Sequence, residues 1–154
     1  TMLRDLDLST NSITSLPDTV GKLLSLESLY LSRNRLSGLP PTIGALSNLK
    51  ELCIEENSIK TLPDELGNCK ALEVLNVHLN GLKEMPVSLG EGLGNLKTLT
   101  LEGNVHLKKL PSEYDGMTSL ERLSLDVDLL GSFDQRLLGW ATTLTSLEFE
   151  GNKK

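Results

Sequence analysis

Few groups in this chain of 154 residues have the type and spacing to do chemistry: two histidines, two cysteines, a glycine-rich run and a cluster of glutamates. His78 beside Glu55 could form a general-base pair, with the carboxylate orienting the imidazole. We read His78 instead as a surface histidine. It and His106 are the only histidines, and they fall at different phases of a repeat that runs through the chain. That mismatch also leaves a two-histidine metal site or a histidine-based triad without support. Gly90-Glu91-Gly92-Leu93-Gly94 has the outline of a phosphate-cradling loop, but no Lys-Ser or Lys-Thr pair follows it. Gly90 and Leu93 are in phase with a glycine and a leucine of the other repeats, so the run reads as a turn. No catalytic residue, cofactor or metal is expected.

The two cysteines cannot pair if this phase is right. Cys69 stands where Leu23, Leu46, Leu93 and Met117 stand in other repeats, and should be buried. Cys53 should lie exposed on the opposite side of its coil, its thiolate disfavoured by Glu51 and Glu55. No cysteine cluster is visible at the ends of the repeats. No N-x-S/T sequon occurs, since Asn11-Ser12-Ile13 and Asn57-Ser58-Ile59 miss by one position. No apolar run approaches the roughly 18 residues of a membrane-spanning helix, and no basic-then-apolar leader opens the chain. These features point to a reducing, cytoplasmic setting and away from a membrane partner. The first residues already belong to a repeat and Asn152-Lys153-Lys154 stop inside one, so the chain reads as a fragment of a longer protein.

The elements that position these groups follow from the repeat itself. Leu3-Leu6-Leu8-Asn11-Ile13-Leu16-Pro17-Val20-Gly21 recurs as Leu26-Leu29-Leu31-Asn34-Leu36-Leu39-Pro40-Ile43-Gly44, and again as Leu49-Leu52-Ile54-Asn57-Ile59-Leu62-Pro63-Leu66-Gly67. Repeats start at Leu3, Leu26, Leu49, Leu72, Leu96, Leu120 and Leu144, giving about six and a half in a single domain over residues 1–154. Self-similarity at this period means a solenoid. The 36 leucines and only five aromatics agree, because stacked near-copies need no bulky fillers. Within each repeat L-x-x-L-x-L alternates with period two, the mark of a strand with one buried face. Strands returning in one direction every 23 or 24 residues must stack as a parallel sheet lining a concave face. Asn11, Asn34, Asn57, Asn80 and Asn104 fall where the chain leaves the strand. Their amides can bond backbone groups of their own coil and the next, a structural role. In L-P-x-x-I-G, proline fixes φ and glycine admits conformations that other residues resist. No long helical pattern intervenes, so the outer side should carry short 3-10 or irregular turns.

This pattern resembles the leucine-rich repeat family, and its L-P-x-x-I-G half resembles the intracellular typical or Ras-group subfamily with 23-residue repeats. The resemblance runs tightly from Leu3 to about Gly116 and loosely to the end. It implies an α/β solenoid and a non-catalytic interaction scaffold, with small GTPases or phosphatases among the partners of such proteins. Departures concentrate late. The Gly90–Gly94 run lengthens the fourth repeat by one residue, and Val105-His106 lengthens the fifth. The sixth has Asp128 for Asn, Asp134 for Pro and Leu138 for Gly, with Trp140 in a Leu slot.

Function must come from the exposed positions. The third, fifth, seventh and eighth residues of each repeat should face outward from the sheet. These 28 positions hold nine acids and two arginines; the chain has 21 acids and 15 Lys plus Arg, so all other positions hold 12 acids and 13 bases. The negative charge therefore belongs to the concave face. A one-sign concavity steers oppositely charged partners, which suggests a protein with a basic surface and argues against direct nucleic-acid binding. Candidate partner-binding residues are Glu51, Glu55 and Glu56, the less polar Tyr30, Cys53, Val74, His78 and Leu79, and Arg33, Asn76, Glu102, Arg122 and Asp126. Exposed Tyr beside Val and Leu has the composition of an interface hot spot. The resulting expectation is a protein-protein interaction scaffold in intracellular signalling. The alternatives are the recognition segment of a larger enzyme or immune receptor (a kinase, Roco GTPase, adenylyl cyclase or ubiquitin ligase) and a structural part of a large assembly.

Overall fold

The computed structural model describes residues 2–132 and 142–150. Asp134, Leu138, Trp140, Gly151, Asn152, Lys153 and Lys154, all noted in the sequence, lie outside them. Each repeat supplies one short strand: β1 Asp5–Asp7, β2 Ser28–Tyr30, β3 Glu51–Cys53, β4 Val74–Asn76, β5 Thr98–Thr100, β6 Arg122–Asp126 and β7 Ser146–Glu150. They pair in chain order as one seven-stranded parallel sheet, open and curved. The register aligns the central leucines Leu6, Leu29, Leu52, Leu75, Leu99, Leu123 and Leu147, so the sequence period is also the strand register.

Behind the sheet the chain returns through 3-10 turns at Asp18–Lys22, Pro41–Ala45, Asp64–Asn68, Ser112–Gly116 and Val127–Ser132. The first four follow a proline whose fixed φ sets the extended approach to the turn, for example Pro40 at −69°. Each ordinary turn closes with an i to i−3 bond, such as Leu23 N–H to the Val20 carbonyl at 3.0 Å. The fourth repeat carries one residue more and forms the helical turn α1, Val87–Gly92. There Leu93 N–H reaches the Leu89 carbonyl, four residues back, at 2.9 Å. The extra residue thus widens a 3-10 turn into an α turn.

The recurring glycines serve space rather than unusual backbone angles. A Cβ on Gly21, Gly44, Gly67 or Gly90 would collide with the carbonyl of Thr42, Glu65, Ser88 or Glu113 in the following coil. Gly92 would strike the Gly67 carbonyl. The glycine-rich run is therefore a packing feature. The only described glycine with positive φ is Gly103, at 79°.

Between sheet and turns, the leucine columns form one continuous core that includes Leu29, Leu52, Leu75 and Leu99 with no exposed surface. Tyr114 takes the place of an aliphatic residue there, and its hydroxyl donates to the Pro86 carbonyl at 3.1 Å. Burial pushes its phenol well above the usual range.

The asparagines knit the coils, but toward the preceding coil, not the next. Asn34 Nδ2 donates to Leu31 O and Ser32 O in its own turn and to Leu8 O one coil back, while its Oδ1 accepts Ile13 N–H at 3.0 Å. Asn57, Asn80 and Asn104 repeat this arrangement. Asn11 is exposed, in the first coil, and its Nδ2 bonds only Leu8 O and Ser9 O of its own turn. An amide holds both ends of this bridge because it donates and accepts at once.

Candidate binding face

Period-two alternation turns the residues flanking each central leucine out onto the open side of the sheet, while the leucine itself points into the core. Tyr30, Glu51, Cys53, Val74 and Asn76 are half-buried there, and Leu79 and Arg122 are exposed. The structure brings Tyr30, Glu51, Cys53 and Val74 together on β2–β4. Tyr30↔Cys53↔Asn76 and Ser28↔Glu51↔Val74 are direct cross-strand neighbours.

The glutamates are not equivalent. Tyr30 Oη donates to Glu51 Oε2 at 2.6 Å, and this bond raises the tyrosine pKa. Arg33 Nε meets Glu56 Oε1 at 2.9 Å, so these two charges largely offset each other. Glu55 keeps Oε2 shielded from solvent without a hydrogen bond. A depression of about 450 Å³ opens between Asp7, Tyr30, Arg33, Cys53 and Glu55.

Three placements differ from the sequence reading. His78 turns toward Glu102, not Glu55: Nδ1 lies 3.0 Å from Glu102 O and 3.5 Å from its Oε1. Cys53 is half-buried, not exposed, and burial, then Glu55 and Glu51, push its thiol up to about 11. Cys69 is buried as expected, donating Sγ–H to Ile43 O at 3.4 Å. Asp126, placed among the outward residues, is only 5% exposed. In earlier coils the amide after the strand donates to a backbone carbonyl of the next coil, as Leu79 N–H does to Glu102 O. β6 runs on through Asp126, and the Asp126 carboxylate stands in for that carbonyl, accepting Gly103 N–H at 3.1 Å.

Just past the strands the eighth residue of each of the first five repeats adopts the left-handed region: Thr10, Arg33, Glu56, Leu79 and Gly103, with φ from 49° to 79°. The coil imposes the conformation, whichever side chain occupies it.

Sequence reasoning missed a charge ladder. The second residues of the first six repeats are Arg4, Glu27, Lys50, Glu73, Lys97 and Glu121, strictly alternating in sign. Arg4–Glu27, Glu27–Lys50 and Glu73–Lys97 pair at 2.6 to 2.7 Å. Lys50 holds the Glu27 carboxyl below its ordinary value, and Lys97 does the same for Glu73. Reading one repeat position down all the coils would have found it. The ladder balances charge along the start of the strands and leaves the acidic excess to the open face.

Among the described residues, no group of three or more His, Cys, Asp and Glu is placed to hold a metal ion, and no helix is long and apolar enough to cross a membrane. The family described as leucine rich repeat matches residues 1–43, 25–82 and 70–130. The chain belongs to the leucine-rich repeat family. No curated protein matches it in sequence. Among solved structures, this leucine-rich repeat chain is similar to the plant peptide hormone receptor RGFR1 in complex with RGF2. Identity is 33% over 95% of this chain and 24% of the receptor, with a TM-score of 0.78. A TDR receptor is 28% identical over 97% of this chain and 27% of its own, with a TM-score of 0.77. A leucine-rich repeat protein of Leptospira interrogans is 26% identical over 92% and 47%, with a TM-score of 0.56. The chain thus spans about a quarter of the length of the two receptors. Its fold is one typically used as a non-catalytic binding module.

Proposed function

We propose that this leucine-rich repeat chain grips a protein or peptide with a basic surface on its open face, as an interaction module of intracellular signalling. The carrying observation is the segregation of charge: carboxylates Glu51, Glu55 and Glu102 gather on the open face while the flanking ladder is balanced. Such a face steers cationic partners and speeds encounter. A small GTPase or phosphatase is the partner class that the Ras-group-like repeat pattern favours. The two free thiols, one in the core, favour a cytoplasmic setting. A second reading, the recognition segment of a longer receptor or signalling enzyme, is favoured by the similarity to receptors about four times the length of this chain, one of them in complex with RGF2.

Affinity purification followed by mass spectrometry would supply the partner, and binding kinetics would test the face. Charge reversal of Glu51, Glu55 and Glu56 should slow association and weaken its salt dependence. Tyr30→Ala or Leu79→Ala should speed dissociation, by about 1–2 kcal/mol if these are hot spots. Lys22→Glu, in the turn behind the sheet, is the control. Binding that responds to the control alone refutes the concave-face assignment.

A further inference from the structure

The two halves of the open face differ in sign. On β1–β3 the residues flanking the central leucines are Asp5, Asp7, Ser28, Tyr30, Glu51 and Cys53, with acids and no cation. On β4–β6 the residues in the same register are Val74, Asn76, Thr98, Thr100, Arg122 and Ser124, with a cation and no acid.

Arg122 is also the exception among the cations of the strand segments. Arg4, Lys50 and Lys97 pair along the ladder, and Arg33 pairs with Glu56. Arg122 is exposed, and among the described residues its guanidinium has no hydrogen-bond or ion-pair partner. The same holds, among the described residues, for the hydroxyls of Thr98, Thr100 and Ser124. Thr98 is the direct cross-strand neighbour of Arg122, and Thr100 of Ser124. These four side chains line a depression of about 110 Å³. Its far wall, on β7, is Ser146 and Glu148, where the Ser146 hydroxyl donates to Glu148 Oε1 at 3.1 Å. The uncommitted donors therefore lie on β5 and β6, and the carboxylate of the rim lies on β7.

Resting on the concave-face reading, we infer that this depression takes an acidic side chain, aspartate or glutamate, of a peptide partner whose basic side chain lies over Asp5 and Asp7. A guanidinium offers a carboxylate two parallel donors, and such charge-assisted bonds are stronger than neutral ones. The hydroxyls of Thr98, Thr100 and Ser124 can serve the remaining lone pairs. Arg122 repels a cation here, and an apolar side chain would cover the donors and leave them unmet. Asp5 and Asp7 are exposed, so the basic side chain reaches them from solvent. β1 and β6 are five coils apart, roughly 24 Å at ~4.8 Å per strand, a distance that about seven residues of extended chain span. The two signs also fix which way round the partner lies, because exchanging its acid and its base sets like charges together.

The test is selection of a phage-displayed random-peptide library on the protein, followed by affinity measurement on the selected peptides made synthetically. The expected peptides carry Lys or Arg and, about seven residues away, Asp or Glu. Replacing that acid by its amide should weaken binding about tenfold or more, and Arg122→Gln should cost the same. Together the two changes should cost no more than either alone, and Arg122→Glu should favour peptides with Lys in place of the acid. Arg122 is exposed, so these variants should fold, and the peptide-side changes do not touch the protein's stability. Additive losses, an unaltered affinity for Arg122→Gln, selected peptides without an acid, or no binder at all overturns the inference. So does an affinity that falls on C-terminal amidation of the peptide instead, because the carboxylate is then the chain terminus. If Asp5→Asn and Asp7→Asn weaken binding while amide peptides bind normally, the concave-face reading stands and this inference alone fails. If only Lys22→Glu matters, the reading beneath it fails.

Discussion

Asn57 Oδ1 accepts the N–H of Leu36 at 2.9 Å, and Leu36 belongs to the preceding coil. The same amide donates to Leu31 O, again one coil back, at 3.0 Å. Asn57→Ala therefore strips partners from two coils at once. Each unsatisfied buried group costs about 1–3 kcal/mol, and each coil leans on its neighbours. The urea midpoint should fall clearly, and Asn11→Ala should shift it less because, among the described residues, Asn11 bonds within its own turn alone. Equal midpoints for wild type and Asn57→Ala would refute the bridge.

Gly67→Ala places a methyl group against the Ser88 backbone, while Gly38→Ala meets nothing within 4 Å. Overpacking of this kind costs about 1–3 kcal/mol, and backbone obstacles yield less readily than side chains. Thermal melting should separate the two variants, with Gly38→Ala near wild type. Similar losses for both would mean that the glycines serve backbone freedom after all.

The outline of the fold was legible because strand period and repeat period are the same fact seen twice. Leu6, Leu29 and Leu52 are in phase in the sequence and in register in the sheet. What escaped the sequence was everything decided by reach across a coil boundary. Asn34 faces backward because the groups it satisfies, Leu8 O and Ile13 N–H, lie in the earlier coil. Asp126 looked outward by phase, yet the extension of β6 draws its carboxylate onto Gly103 N–H. The acids of the face were visible, but not that Tyr30 and Arg33 already occupy Glu51 and Glu56 and leave Glu55 distinct.

Both thiols sit at about 11, Cys53 through burial and then the charges of Glu55 and Glu51, Cys69 through burial alone. An alkylating reagent at pH 8 should label Cys53 slowly and Cys69 only on unfolding. Glu55→Gln should accelerate Cys53 labelling by removing one opposing charge. The unfolded chain loses these protons near the ordinary thiol value, about 9, whereas the folded chain keeps them to about 11. It follows that stability falls as pH climbs through that window. Denaturation midpoints at pH 8 and pH 10, compared with those of a Cys53→Ser/Cys69→Ala variant, should show the slope flatten; an unchanged slope would contradict the assignment.

Lys50→Glu would set like charges side by side at Glu27, position 50 and Glu73. All these groups are at the surface, so the loss should be small and electrostatic. The melting temperature should drop in low-salt buffer and return toward wild type at about 1 M salt, where screening acts within roughly 3 Å. A deficit independent of salt would point to lost packing of the lysine stem instead.

The alternation of Arg4, Glu27, Lys50, Glu73, Lys97 and Glu121 gives the solenoid a parity. Excising one coil would bring Arg4 against Lys50, or Glu27 against Glu73, whereas excising two would bring Arg4 against Glu73 and keep the signs opposed. Even steps thus keep the ladder's signs opposed, and odd steps carry a small electrostatic cost. Growth or shrinkage of the array by recombination is tolerated most readily when repeats are gained or lost in pairs.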